Sequence, residues 1–235
     1  MTHEASIRVN FGRPIPVFPL SGVALLPQQV VPLHIFEPRY RQMVSRALDA
    51  SGQIAIASFR GDEWSQNYHG RPPLRPAVCV GQIEQHERLA DGRYNLLLQG
   101  VCRARIVQEE PPDQERLFRE AMLEPVGVDQ IDPPDLEELR AWVRWQLEDG
   151  PLAGLSRADD VLEFVQNDDV PTGALMEIVA FSLVADDEIR YRLLQEGSPA
   201  SRGEILRDAL DELTRLIRLA GEQGSDDWPR GMSWN

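Results

Sequence analysis

The residues of this chain that could do chemistry are acidic pairs, scattered histidines and two cysteines. The acidic pairs stand where helices are predicted to begin, and carboxylates there cap backbone N–H groups and complement the helix dipole. These pairs are Asp159-Asp160, Asp168-Asp169 and Asp186-Asp187. His34 and His86 have no cysteine or serine nearby in the context of a nucleophile. We therefore expect no catalytic residue in this chain.

The possible metal ligands are equally dispersed. Cys79 and Cys102 lack the short spacing of a C-x-x-C site, and the four histidines form neither an i, i+4 pair nor an HExxH box. No glycine-rich phosphate-binding loop is present. The expectation is a protein with no metal and no cofactor.

The chain contains no lysine, and all 24 of its basic residues are arginine. Without lysine it cannot build a Walker-type phosphate cradle, a Schiff base or a Ser–Lys dyad. These classes of active site are therefore excluded for the 235 residues of the sequence.

The charge balance is acidic, with a formal net charge of −14 and an isoelectric point near 4.7. Nucleic-acid binders depend on a basic face, so this balance argues against a nucleic-acid partner. No apolar run is long enough to span a bilayer, and residues 1–12 lack the apolar core of a secretory signal. We expect a cytoplasmic protein with no membrane partner.

The elements that must position any site begin in residues 14–40, PIPVFPLSGVALLPQQVVPLHIFEPRY. Short apolar runs alternate with prolines, which suit strand starts, edges and turns. Val31, Leu33 and Ile35 supply the apolar contacts of an extended segment, and the period then changes to that of a helix over 38–50. Pro38 fits its first position and Glu37 its N-cap.

A hairpin is predicted over residues 77–108. Asp91-Gly92 is a preferred two-residue type I′ turn. That loop would place Cys79 opposite Ala104 and make Cys79 and Cys102 diagonal neighbours, too far apart for an unstrained disulfide. Both thiols are expected to be reduced. Residues 118–126 are predicted to form a closing strand.

Residues 128–135, with two prolines and three aspartates, form the best internal boundary. We expect a tail over 1–12, a β-domain over 13–128, a helical subdomain over 129–220 and a disordered tail over 221–235. Thr172 and Asp186 are predicted helix caps, and Ser201 to Glu204 is a predicted capping box.

Three stretches resemble the Lon N-terminal (substrate-binding) domain family. They are the FPL…LLP…VPLHIFEPRY opening, the hairpin VGQIEQHERLADGRYNLLLQGVCRARIV and the segment FSLVADDEIRYRLLQEGSPASRGEILRDALDEL. The resemblance implies an α+β fold, in which a PUA-like β-barrel is followed by a C-terminal α-helical subdomain. It also implies structural roles for Pro38, Gly92 and Arg103, the last tying a strand end to nearby backbone or carboxylates.

The resemblance implies binding of unfolded or flexible polypeptide segments, or of a protein partner, without catalysis, as an adaptor or chaperone-like holder. The candidate contacts are apolar loop residues that the core need not bury: Leu25, Leu26, Phe59, Trp64 and Tyr68. Two alternatives remain open. One is RNA binding, by analogy with other PUA-like barrels, and the other is an uncharacterised enzyme, which would need convergent polar groups in a closed pocket.

Overall fold

A computed structural model describes residues 7–68, 70–127 and 135–222. Six strands come first, with one helix among them, and five helices follow. The strands are β1 (Ile15–Leu20), β2 (Val30–Ile35), β3 (Gln53–Phe59), β4 (Leu74–Arg88), β5 (Tyr94–Glu110) and β6 (Arg119–Pro125). The helices are α1 (Pro38–Leu48), α2 (Asp135–Glu148), α3 (Ala158–Gln166), α4 (Thr172–Leu183), α5 (Asp187–Gln195) and α6 (Pro199–Glu222). Short 3₁₀ helices cover Glu63–Asn67 and Pro151–Gly154. The expected α+β class is confirmed.

Five strands close into a barrel. Neighbouring strands follow the order β5-β4-β3-β1-β6, and β6 pairs back onto β5. β5 is long enough to serve two neighbours on one side, because its first half pairs with β2 and its second half with β6. β2 is thus an additional strand on the outside of the closed ring. A barrel followed by helices is the architecture expected from the sequence.

Small and branched side chains fill the barrel interior, and every strand of the ring contributes to this cluster. Its buried members are Ile15, Val17, Ala55, Ala57, Phe59, Leu74, Val78, Val80, Ala104, Ala121 and Leu123. Alanines at four of these positions let the strands approach closely around a narrow interior. Val9 and Phe11 pack against the same cluster, so part of the predicted tail over 1–12 belongs to the barrel.

A second cluster joins the outer face of the barrel to the helices. It runs from Phe18, Ile54 and Ile56 on the strands to the buried faces of α1 and of the later helices. α1 contributes Tyr40, Met43, Val44 and Ala47, which recur at helical spacing. The barrel and the helices therefore share one apolar core in the described residues.

The helix caps differ in part from those expected. Asp186 caps α5, since its Oδ1 accepts a hydrogen bond from the Ile189 N–H at 2.9 Å. Thr172 is the first residue of α4 rather than its cap. The capping box predicted at Ser201 is wrong, because α6 begins at Pro199 and Ser201 N–H donates to Ser198 Oγ.

The hairpin register differs from the predicted one by one residue. Cys79 lies opposite Arg103, and bulges after Val80 and Ile83 shift the pairing twice. The turn is longer than predicted, since Leu89 N–H donates to the Arg93 carbonyl and Gly92 N–H to the Leu89 carbonyl. Gly92 alone takes the left-handed conformation that a three-residue loop needs, with φ of +80°. Both cysteines are free thiols.

The predicted domain boundary at 128/129 lies outside the described residues, as do 1–6 and 223–235. α6 continues through Glu222, two residues past the expected end of the helical subdomain. No helix in the described ranges combines the length and apolarity needed to cross a membrane.

Arg103 joins the barrel to the helices. From β5, its Nε donates to the Leu193 carbonyl of α5 at 3.0 Å, and its Nη2 donates to Glu177 Oε2 of α4 at 2.7 Å. Arg202 of α6 lies 3.4 Å from the other oxygen of Glu177. Nearby, Arg75 of β4 makes two hydrogen bonds to Glu188 of α5. Charge pairs thus fix how the helices sit on the barrel.

We predict that Glu177→Gln lowers the free energy of unfolding by about 3–5 kcal/mol, because it leaves the buried guanidinium of Arg103 without its counter-charge. Denaturant unfolding followed by circular dichroism measures the loss. Glu212→Gln removes an ion pair on the surface of α6 and should leave the unfolding midpoint unchanged. Equal midpoints for the two variants would contradict the assigned role of the Arg103–Glu177 pair.

We also predict that Gly100→Ala destabilises the fold by about 2–4 kcal/mol. A Cβ at this position would lie 2.1 Å from the Leu26 carbonyl oxygen, which is backbone and cannot rotate away. Gly154→Ala is the matched control, since a Cβ there meets nothing within 4 Å. Thermal unfolding of both variants tests the prediction, and a small effect of Gly100→Ala would show that the loop carrying Leu26 can move.

Candidate functional site

Two of the five predicted contact residues are in the core. Leu25 and Leu26 are fully buried in the loop between β1 and β2. The loop is held against β5, because Gln28 N–H donates to the Gly100 carbonyl and Gly100 N–H donates to the Gln29 carbonyl, each at 2.8 Å. The expectation that the core leaves Leu25 and Leu26 free is therefore wrong.

The structure brings the other three predicted residues together. The rings of Phe59 and Trp64 are stacked, with centroids 5.0 Å apart, and Tyr68 meets both of them edge-on. Phe59 is buried, whereas Trp64 and Tyr68 are half-buried. We call these three residues the aromatic cluster.

Two neighbouring hollows lie beside the aromatic cluster. The outer groove is open, about 620 Å³ in volume, and is lined by Pro19, Leu20, Phe59, Trp64, Tyr68 and neighbouring polar residues. The inner pocket is more enclosed, about 220 Å³, and shares Pro19, Phe59, Tyr68 and Gly70 with the groove. Its remaining lining includes Val17, Leu117 and Phe118, together with the guanidinium groups of Arg39 and Arg119.

Arg39 is clamped at the rim of the inner pocket. Its guanidinium lies 4.6 Å from the ring centroids of both Tyr40 and Tyr68, and its Nε donates to Glu37 Oε2 at 3.0 Å. Tyr68 OH donates to the other oxygen of Glu37 at 2.5 Å. Burial and this hydrogen bond to the carboxylate raise the pKa of Tyr68, so its hydroxyl stays protonated.

Arg119 reaches the inner pocket from β6, and only 9% of its side chain is exposed. Its Nη1 donates to the Pro72 carbonyl at 2.9 Å and to Glu109 at 3.4 Å. Burial lowers the pKa of Arg119, and the nearby positive charges of Arg39 and Arg71 lower it further. The negative charge of Glu109 acts in the opposite direction and raises it. The inner pocket is thus a small space of mixed character, in which apolar side chains lie beside two arginines.

A second surface was not predicted. Val30, Pro32 and His34 share the solvent face of β2, and Phe36 follows directly after the strand. Val30 is 51% exposed and Phe36 60% exposed. Leu97 lies opposite Pro32 on β5 and is half-buried. We call these residues the β2 face.

A cavity of about 440 Å³ adjoins the β2 face, with polar groups around it. It is lined by Pro32, Leu33, His34, Gln85, His86, Glu87, Asn95, Leu96 and Leu97. His34 Nδ1 lies 2.7 Å from Asn95 Oδ1, and its ring stacks against Phe36 with centroids 6.3 Å apart. Phe36 thus contacts the ring of His34, which is itself bound to Asn95 of the neighbouring strand.

β2 pairs only with β5 in the described part of the chain, so its other edge is open. The bond from Gly100 N–H to the Gln29 carbonyl sets the alternation, in which Val31, Leu33 and Ile35 bond to β5. The backbone groups of Val30, Pro32 and His34 therefore face the open edge. Pro32 has no N–H to offer there, which weakens this edge as a template for another strand.

The signal for the β2 face was present in the sequence. Once Val31, Leu33 and Ile35 are assigned to the core, the two-residue period of a strand places Val30, Pro32 and His34 on the opposite face. Two of those three are apolar, which is unusual for a solvent face. No comparable signal links Arg39 to Arg119, which are far apart in sequence.

No group of histidine, cysteine or acidic side chains among the described residues has the geometry to hold a metal ion. Pro38 occupies the first turn of α1, and Glu37 is its N-cap residue. The side chain of Glu37 bonds to Arg39 and Tyr68 rather than to the helix backbone. The described surfaces therefore provide two kinds of interaction with a ligand. These are apolar contact and the charges of the two arginines at the inner pocket.

Comparison with known proteins shows which family the chain resembles. Residues 14–212 match the model of the ATP-dependent protease La (LON) substrate-binding domain. Lon proteases of Trichlorobacter lovleyi and Desulfovibrio desulfuricans are 27% and 29% identical to the chain, over 88% and 89% of its length. The aligned region is 25% and 23% of those proteins, so the chain spans about a quarter of their length.

Solved structures agree with this assignment at the level of the fold. The N-terminal domain of Lon protease from the Mycobacterium avium complex matches with a TM-score of 0.64 and 20% identity, covering 85% of this chain and 99% of that one. A Lon N-terminal domain protein from Xanthomonas campestris matches with a TM-score of 0.56 and 20% identity, covering 83% and 98%. Since the family model covers most of the sequence, the chain belongs to the Lon substrate-binding domain family.

Proposed function

We propose that this chain binds flexible polypeptide segments without catalysis, and that the β2 face is its principal contact surface. The observation that carries the proposal is the exposure of Val30 and Phe36 beside a cavity of about 440 Å³. The family name describes substrate binding, and the matched relatives are proteases, whose substrates are polypeptides.

Val30, Phe36 and Leu97 of the β2 face belong to neither apolar cluster of the described residues. Val31 and Leu33 already supply the core side of the strand, where they pack against the large cluster. Contiguous exposed apolar side chains rimmed by polar groups are typical of interaction surfaces. Gln85, Glu87 and Asn95 provide such a rim around the cavity.

The surface favours recognition by side-chain contact over recognition by strand addition. An added strand depends on backbone donors along the open edge, and Pro32 removes the central one. Apolar contact is tolerant of sequence, because burial depends on area rather than on directional bonds. A domain of this kind can hold many different unfolded segments.

The proposed biological role is that of a holder or adaptor, which keeps an unfolded segment in solution or presents it to another protein. The net charge of −14 supports this role, because it keeps a complex with exposed apolar segments soluble. The same charge disfavours RNA as the ligand.

The test is a binding titration with reduced, carboxymethylated α-lactalbumin, a permanently unfolded polypeptide, followed by fluorescence anisotropy. We predict that the double variant Val30→Ser/Phe36→Ser weakens binding at least tenfold, or about 1.4 kcal/mol. Both side chains are more than half exposed, so the fold should persist.

The matched control is Val107→Ser/Phe164→Ser, which removes the same two residue types from other exposed positions. It should change the dissociation constant less than twofold. Equal losses in the two double variants would overturn the assignment of the β2 face. Binding of single-stranded RNA, but not of the polypeptide, would overturn the proposed function itself.

A further inference from the structure

The inner pocket has a composition that the proposed function does not use. It holds two arginines beside the apolar side chains of Val17, Leu117 and Phe118, where β1, β3 and β6 meet the start of α1.

Hydrogen-bond donors remain available in this pocket. Both hydrogen bonds of the Arg119 guanidinium come from Nη1, so its Nε and Nη2 have no partner among the described residues. Arg39 Nη2 is buried and makes no hydrogen bond to a described residue, although it lies 3.0 Å from Glu37 Oε2. Arg39 Nη2 is thus a buried donor without a hydrogen bond, which is a costly state. The Nε and Nη2 atoms of Arg119 are not buried to this extent, and both can reach a ligand in the pocket.

The local charges favour an anion. Glu37 and Glu109 are the acidic partners of the two arginines, and Glu109 reaches only Nη1 of Arg119. Arg71 adds a third cation close enough to act on Arg119. A planar carboxylate matches the fork of guanidinium donors better than other small anions of one charge.

The size of the pocket limits what can accompany the carboxylate. A space of about 220 Å³ is smaller than the pockets that enclose drug-sized ligands, and it takes a single apolar side chain. The outer groove adjoins it, shares Phe59 and Tyr68 with it and is open to solvent, so it is placed to take the preceding residues of an extended chain.

We propose that the inner pocket binds the C-terminal carboxylate of a polypeptide whose last residue is apolar or aromatic. Arg39 and Arg119 bind the carboxylate, the terminal side chain lies against Leu117 and Phe118, and the preceding residues run along the aromatic cluster. The inference rests on the proposed function, since it gives polypeptide binding a preference for chain ends.

The test uses a short N-terminally fluorescein-labelled peptide of Gly and Ser that ends in Leu-Phe, in two forms that differ only at the C-terminus. We predict that the free acid binds at least tenfold more tightly than the carboxamide. The net charge of −14 disfavours a general electrostatic attraction of the whole chain for the acid. Equal affinities would overturn the inference, and they would leave binding of carboxymethylated α-lactalbumin at the β2 face intact.

Substitutions of the two arginines test whether the acid-to-amide preference arises in the inner pocket. Arg39→Gln should reduce the acid-to-amide preference to less than threefold, and Arg119→Gln should do the same where it folds. Arg105→Gln is the matched control, because Arg105 is an exposed arginine of the same barrel paired with Glu124. A preference that survives Arg39→Gln and Arg119→Gln would overturn the location.

A competition experiment distinguishes a site for a polypeptide C-terminus from a site for a small organic acid. N-acetylphenylalanine carries the same carboxylate and ring but no preceding residues to lie along the outer groove. We expect it to displace the acid peptide only at concentrations at least tenfold above those of the unlabelled peptide. Equal potency would overturn the proposal that the ligand is the end of a polypeptide, and it would identify the pocket as a site for small organic acids.

Discussion

The ion pair between Arg103 and Glu177 is the contact on which the arrangement of the whole molecule depends. It joins the barrel strand β5 to α4, while the same guanidinium holds the backbone of α5 and the same carboxylate holds Arg202 of α6. Both charges are almost fully buried, and removing either one would leave the other without an opposite charge to offset the cost of its desolvation. Apolar packing between barrel and helices is non-directional, so these bonds determine which orientation of the helices is adopted.

That orientation leaves part of the barrel uncovered. Arg103 lies in the second half of β5, which pairs with β6 and faces the helices, whereas the first half pairs with β2. The later helices are held at the second half, so the solvent face of β2 and the adjoining hairpin remain open. The exposed side chains of Val30 and Phe36 lie in this uncovered part of the molecule. A surface used for binding benefits from such rigid support, since less order has to be imposed when the ligand arrives.

The sequence predicted the order and type of most elements, because hydrophobic period and proline position are local signals. Pro38 at the start of α1 and Gly92 in the hairpin turn are examples. Prediction from the sequence failed where the conformation of a segment depends on contacts with residues far away in the sequence. Leu25 and Leu26 lie in a loop of turn-like composition, and their burial depends on bonds from Gln28 and Gln29 to Gly100. The register failed because the loop has three residues rather than the two that Asp91-Gly92 predicts, and two bulges then shift the pairing by one residue and back again. The inner pocket could not be predicted either, since Arg39 and Arg119 meet only once the barrel has closed.

The two surfaces meet at the junction of β2 and α1, and this placement bears on how a chain would bind. Phe36 belongs to the β2 face, and Arg39 to the inner pocket, so their Cα atoms lie at most about 11 Å apart. A segment held weakly by its apolar side chains would have its terminus at high effective concentration near the arginines. A segment held by its terminus would likewise have its apolar side chains at high effective concentration near the β2 face. Apolar contact alone discriminates little between sequences, whereas a paired carboxylate demands one chemical group in one position. If both proposals hold, placing the two surfaces side by side would let a small barrel bind many segments while favouring those that end nearby.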